Sequence, residues 1–138
     1  MSPGRVLALD FGTRRVGVAV SDPLGISAQP HSVLDGAAPG LMGEVGRLAA
    51  ELGAERIVVG LPLSLDGSEG PAAAMARRFA AEVAAATGLP VELLDERFTT
   101  VSADRVLVEA GLPERRRRQV RDRVAAAVLL QSYLDGGR

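Results

Sequence analysis

Three acidic residues occupy places that apolar packing alone would not choose. Asp10 closes the run Val6-Leu7-Ala8-Leu9, Glu96 follows Val91-Glu92-Leu93-Leu94-Asp95, and Asp122 lies three, four and seven positions ahead of Ala125, Ala126 and Leu129. A carboxylate at the end of an apolar strand or on an apolar helix stripe is either paired or faces a site, because an uncompensated buried charge is expensive. Brought to one edge of a sheet, three carboxylates favour hard divalent cations bound through oxygen, Mg²⁺ or Mn²⁺. Two such ions roughly 3.5–4 Å apart activate a water and stabilise the leaving oxygen of a phosphodiester, so no side-chain nucleophile is required. Other uses of these acids stay open in the sequence. Asp10 can be a turn residue, Glu96 can pair with Arg97 or another Arg, and Asp122 can pair with Arg118 at i−4. A one-residue change of strand phase exchanges Asp95 with Glu96.

Phe11-Gly12-Thr13-Arg14 links Asp10 to the next apolar run. Gly12 is expected to take a positive φ, setting the Gly12 and Thr13 N–H groups beside the Asp10 carboxylate. A carboxylate with amide donors at a strand end suits a metal-bridged phosphate. Arg115-Arg116-Arg117-Arg118, with Arg121 and Arg123, is either a solvated face or a phosphate-contacting one. The candidate nucleic-acid contacts are therefore Thr13, Arg14, Arg97, Arg115, Arg116, Arg117 and Arg118. His31 stands alone and makes neither a metal cluster nor a triad, so it reads as structural. Aromatic residues are limited to Phe11, Phe79, Phe98 and Tyr133, which points to recognition of backbone and shape rather than base stacking.

The elements that must position these residues follow from periodicity. Val6 to Leu9 is an unbroken apolar run, the mark of a strand covered on both faces, and Val16, Val18 and Val20 alternate with Gly17 and Ala19, so the two form a hairpin. Ile26 to Leu34 supplies a third strand, which Pro30 confines to a sheet edge. Leu41 to Leu52 carries a helical stripe and stops at Gly53; Arg56 to Leu61 is a short buried strand. Pro62 to Gly70 is a Gly-rich loop on the strand-end side, and Leu63 to Gly70 within it is the candidate substrate clamp. Pro71 to Thr87 is an Ala-rich helix closed by Gly88, and Val91 to Leu94 is a fifth strand. A helix capped by Thr99 or Thr100 runs to Ala110, and a last one spans Glu114 to Leu134. Strands joined through helices pair in parallel, so the expected fold class is α/β: one domain over 1–138, with a five-stranded mixed sheet and helices on both faces.

Composition narrows the function classes. The chain has 138 residues and a formal net charge of −1, so any polyanion must meet a local patch rather than the whole surface. All 16 basic residues are Arg, a usage that reflects coding bias or phosphate handling. The absence of Cys excludes disulfides, thiolate nucleophiles and cysteine-ligated zinc. With no apolar run of about 18 residues and no signal-like start, the expectation is a soluble cytoplasmic protein with no membrane partner.

Taken together, Asp10-Phe11-Gly12-Thr13, Arg15-Val16-Gly17-Val18-Ala19, Ser21-Asp22, Val59-Gly60-Leu61-Pro62-Leu63, Asp66-Gly67-Ser68-Glu69-Gly70 and Asp95-Glu96-Arg97-Phe98-Thr99-Thr100 closely resemble the YqgF/RuvX family. The resemblance runs from Arg5 to Asp135 and departs only slightly, with Phe98 where Leu is expected. It implies an RNase H-like fold and a metal-dependent nuclease, described as a Holliday junction resolvase or as a nuclease maturing the 5′ end of pre-16S rRNA. The family's acids fall on Asp10, Glu96 and Asp122. Pre-rRNA, branched DNA and a ribosomal particle are the partners it implies, for a monomer or a homodimer; a symmetric resolvase needs two opposed sites. A non-catalytic ribosome-assembly or nucleic-acid-binding factor on the same fold is the alternative. Asp-x-Gly-Thr turns also occur in sugar kinases and actin-like ATPases, which close two such domains on a nucleotide.

Overall fold

The computed structural model describes residues 4–96 and 124–137. Seven elements lie in the first stretch: β1 (Arg5–Phe11), β2 (Arg15–Ser21), β3 (Ala28–Asp35), α1 (Leu41–Leu52), β4 (Ala54–Leu61), α2 (Pro71–Thr87) and β5 (Val91–Asp95). The second stretch is the C-terminal helix, helical over 124–132, and its backbone leaves helical geometry at Gly136, at φ +138°. The helix expected from Thr99 or Thr100 to Ala110, and the Arg115–Arg118 run, lie outside the described residues. One sheet holds all five strands in the order β3-β2-β1-β4-β5. β1 pairs antiparallel with β2 and β2 with β3, while β4 runs parallel to both β1 and β5. The expected mixed sheet with an antiparallel edge is the one observed.

β1 sits at the centre because its apolar run can be buried on both sides: Val6 to Leu9 are at most 3% exposed. Leu7 and Leu9 face α1 and α2, in a layer with Val18, Ile57, Val45 and Val83. Val6 and Ala8 face the other way, in a layer with Ala19, Val58, Ala126, Leu130 and Tyr133. Helices therefore cover both faces, and the alanines of the second layer let the C-terminal helix lie close on the sheet. That helix is tied down by polar contacts. Arg56 Nη1 donates to the buried Tyr133 hydroxyl at 2.8 Å, and Gln131 accepts from the Ala28 N–H at 2.9 Å and donates to the Ile26 carbonyl at 3.1 Å.

Both strand starts differ from expectation for local reasons. β3 begins at Ala28 rather than Ile26, because the Asp22 carboxylate accepts the N–H groups of Leu24, Ile26 and Ser27 and winds that stretch into a turn. Pro30 does lie on the edge strand, and opposite Val18 and Ala19 stand Ser32 and Pro30, which leaves His31 as a bulged residue. β4 starts at Ala54, two residues before the expected Arg56, through an irregular register with Arg5 and Val6 of β1. α1 and α2 end as expected on Gly53 and Gly88, at φ +66° and +70°. Among the described residues, no helix is long and apolar enough to cross a membrane.

Candidate active site

Asp10 is the sixth residue of β1, and alternation puts its side chain on the Val6 and Ala8 face, beneath the C-terminal helix. Glu96 stands one residue beyond β5, and its N–H donates to the Leu61 carbonyl at 3.2 Å, which prolongs the β4–β5 ladder by a step. It alternates with Leu94, which packs in the layer of the C-terminal helix, whereas Asp95 alternates with Leu93 in the opposite layer. This phase gives Glu96, and not Asp95, the face of Asp10. The two carboxyls meet there in a hydrogen bond.

The electrostatics of the pair follow from that contact. Burial, then the Asp10 charge and the hydrogen bond to it, then the Asp95 charge, push the Glu96 carboxyl up from 4.5 to about 8. Two carboxylates in contact cannot both ionise cheaply, so near neutral pH the pair holds a proton. A divalent cation relieves the same repulsion. The donor set, the oxygens of two half-buried carboxyls, fits a hard ion of the Mg²⁺ or Mn²⁺ kind. Among the described residues, no group of three His, Cys, Asp or Glu side chains is placed to hold a metal. Asp122, Arg97, Arg115, Arg116, Arg117 and Arg118 lie outside the described residues.

Around the pair the sheet is bare. Asp10 is paired with Gly17 of β2, and the β1–β4 register of Ala8 with Val58 and Leu9 with Val59 leads next to Gly60. A Cβ at Gly60 would overlap Glu96 Oε2 and lie 3.0 Å from Glu96 Cδ. Sequence reasoning missed this glycine as a site residue; the available signal was its place inside the otherwise apolar strand Ile57-Val58-Val59-Gly60-Leu61.

The β1–β2 turn corrects one expectation. Gly12 does not have a positive φ. Glycine is required there by close approach, since a Cβ would sit 2.7 Å from the Arg15 carbonyl oxygen, and a Cβ at Gly36 would sit 2.6 Å from the Gly12 carbonyl oxygen. The turn is thus packed backbone on backbone, with Thr13 and Arg14 exposed at its outer side. His31 is exposed and its Nδ1 lies 2.9 Å from Ser32 Oγ, away from the acid pair on the edge strand.

The loop after β4 leaves the same end of the sheet and is ordered by its own polar groups. Ser64 N–H donates to Ser68 O at 2.9 Å, the Asp66 carboxylate accepts the Ser68 N–H and hydroxyl, and Glu69 forms a two-pronged pair with Arg77 of α2. Leu65 stands 77% exposed in it.

This geometry can be set beside known proteins. A family model described as "RuvX: Holliday junction resolvase" matches residues 4–136. A relative from Pelotomaculum thermopropionicum is 47% identical over 133 residues, covering 95% of this chain and 86% of its own length. One from Moorella thermoacetica is 49% identical over 134 residues, covering 95% and 94%. Both carry the name "Putative pre-16S rRNA nuclease". Among solved structures, Thermus thermophilus RuvC in complex with a Holliday junction substrate superposes with a TM-score of 0.60 at 15% identity, over 98% of each chain. That last likeness concerns the fold, which is RNase H-like as expected.

Proposed function

From the premise that the chain belongs to the RuvX family of Holliday junction resolvases, a family of phosphodiester-hydrolysing nucleases, we propose that Asp10 and Glu96 are its metal-binding catalytic acids. The observation that carries this reading is the meeting of their two carboxyls at one end of the sheet. Asp122 is the third acid of the proposal, since Ala125, Ala126 and Leu129, which follow it at i+3, i+4 and i+7, are all buried. Mg²⁺ or Mn²⁺, as one or two ions, would supply water activation and stabilisation of the leaving oxygen when bound.

The chain's own residues do the rest. Asp10 and Glu96 give up their shared proton on loading and turn their oxygen lone pairs to the ion, and β1, β4 and β5 hold them rigidly. Thr13 and Arg14 in the turn, with Arg97 and Arg115, Arg116, Arg117 and Arg118, bind backbone phosphates and set the register of the substrate. The proposed physiological substrate is the 5′ leader of the small-subunit rRNA precursor, supported by the names of relatives nearly half identical over almost the whole chain.

Purified protein and Asp10→Asn are incubated with a labelled four-way DNA junction and with a structured RNA bearing that leader, in Mg²⁺ and in Mn²⁺. Cleavage of the RNA by wild type alone, with Asp10→Asn slower by at least about a hundredfold, supports the proposal; that factor corresponds to roughly 2.7 kcal/mol of lost transition-state stabilisation. Cleavage confined to the junction transfers the site to recombination, where a dimer is required. Equal activity of the two proteins, or none from either, removes the catalytic reading and favours an assembly factor.

A further inference from the structure

The two acids are not neighbours in the sheet. β4 lies between β1, which carries Asp10, and β5, which leads to Glu96. The β4–β5 register sets Gly60 opposite Leu94 and Leu61 opposite Asp95, so Glu96 stands two residues farther along than the level of Asp10 and Gly60. To touch Asp10, the Glu96 side chain must therefore cross β4 diagonally, over the residue level with Asp10. That residue is Gly60, and the carboxylate lies on its bare Cα.

We infer that Gly60 is a positioning residue of the acid pair: the lack of a side chain there is the condition for Glu96 to reach Asp10. The inference rests on the reading of these two acids as metal ligands. Its physical basis is the unequal yielding of what a methyl group at residue 60 would meet. Gly60 does not have a positive φ, so alanine brings no backbone strain. The severe overlap is with Glu96 Oε2, the far end of a flexible side chain, while the contact with the C-terminal helix, Leu129 Cδ2 at 3.2 Å, is only tight. The carboxylate swings away and the sheet stays. A change in the middle of a buried strand thus acts on ligand geometry before it acts on the fold.

The test measures Mn²⁺ binding by calorimetry and by the loss of free-ion EPR signal on the full chain, for wild type, Gly60→Ala and the control Gly43→Ala, whose added Cβ meets nothing within 4 Å. Gly60→Ala is expected to bind Mn²⁺ at least about tenfold more weakly, roughly the loss seen when groups that orient a metal ligand are removed, with an unchanged far-UV spectrum. Gly43→Ala is expected to bind as wild type. A second variant separates the helix from the acid: Gly60→Ala with Leu129→Val removes the Leu129 Cδ atoms and leaves the overlap with Glu96. Weak binding that persists in the double variant supports the inference, also where Gly60→Ala alone folds poorly. Binding restored by Leu129→Val, or within twofold of wild type in a folded Gly60→Ala, overturns it. Wild type that binds no Mn²⁺ overturns it together with the reading it rests on.

Discussion

The contact between Asp10 and Glu96 makes stability depend on pH in a direction opposite to that of ordinary surface carboxylates. Glu96 titrates at about 8 in the folded chain against an ordinary 4.5. Between those values the folded chain holds a proton that the unfolded chain has released, so stability is full below about 4.5 and declines as pH rises through 8. Asp22, held low chiefly by the Ser27 N–H, and Glu69, held low chiefly by Arg77, act the other way. Their contributions are present above the ordinary carboxylate range and lost in acid, outside this window. Thermal unfolding in EDTA is thus expected to show a melting temperature that falls from pH 5 to 8 in wild type, and a flatter profile in Glu96→Gln. Saturating Mn²⁺ should lift the wild type most at the alkaline end, where the cation no longer competes with a proton. Parallel profiles for the two proteins in EDTA would mean that the pair shares no proton. Asp10 and Glu96 were legible in the sequence because an acid beside an apolar strand is incongruous. The choice of Glu96 over Asp95 was not, since it depends on strand phase, which Leu94 fixes only by packing under the C-terminal helix. Gly12 was misread in kind, as a conformational glycine, because the approach of the Arg15 carbonyl cannot be seen from the turn's own letters.

Element boundaries were legible wherever a single residue enforces them. Gly53 and Gly88 stop α1 and α2, and Pro71 opens α2, and all three are local backbone effects. The starts of β3 and β4 were not legible, because one is set by the Asp22 carboxylate and the other by register against β1. The layer between the sheet and the C-terminal helix shows how side-chain size sets the site's roof. Ala8, Ala19 and Ala126 are fully buried there and leave no room for larger groups. Ala8→Leu is expected to destabilise the protein by about 1–3 kcal/mol through overpacking, measured by urea denaturation. Because Leu129 of the same helix lies over Gly60, the lifted helix should also weaken Mn²⁺ binding. The Tyr133 hydroxyl is a smaller anchor. Tyr133→Phe leaves Arg56 half-exposed and able to reach water, so it should cost only about 0.5–1.5 kcal/mol. A cost in Ala8→Leu below about 1 kcal/mol would mean the alanine layer is loosely packed.

At the scale of the whole molecule, 16 arginines face 17 acids, and a polyanion sees no net attraction from a distance. Affinity must then come from where the arginines are placed. Two arginines of the described helices are engaged with acids: Arg47 lies between Glu44 and Glu51 on α1, and Arg77 of α2 holds Glu69. Such exposed pairs do little for stability and leave that surface electrically mixed. Arg14, in contrast, is exposed on the turn that follows Asp10, at the end of the sheet where the acids repel phosphate and need cations beside them. If the proposed contacts hold the nucleic-acid backbone, the logarithm of the binding constant should fall linearly with the logarithm of salt, by about 0.7–0.9 for each phosphate engaged. Arg14→Ala should reduce that slope by nearly one phosphate and weaken a four-way junction and a structured RNA by similar factors, because phosphate contacts carry no sequence information. Arg47→Ala should leave both unchanged. Binding measured by fluorescence anisotropy across a salt series decides the matter: equal losses in Arg14→Ala and Arg47→Ala would make the attraction diffuse, and the turn would no longer be part of the substrate track.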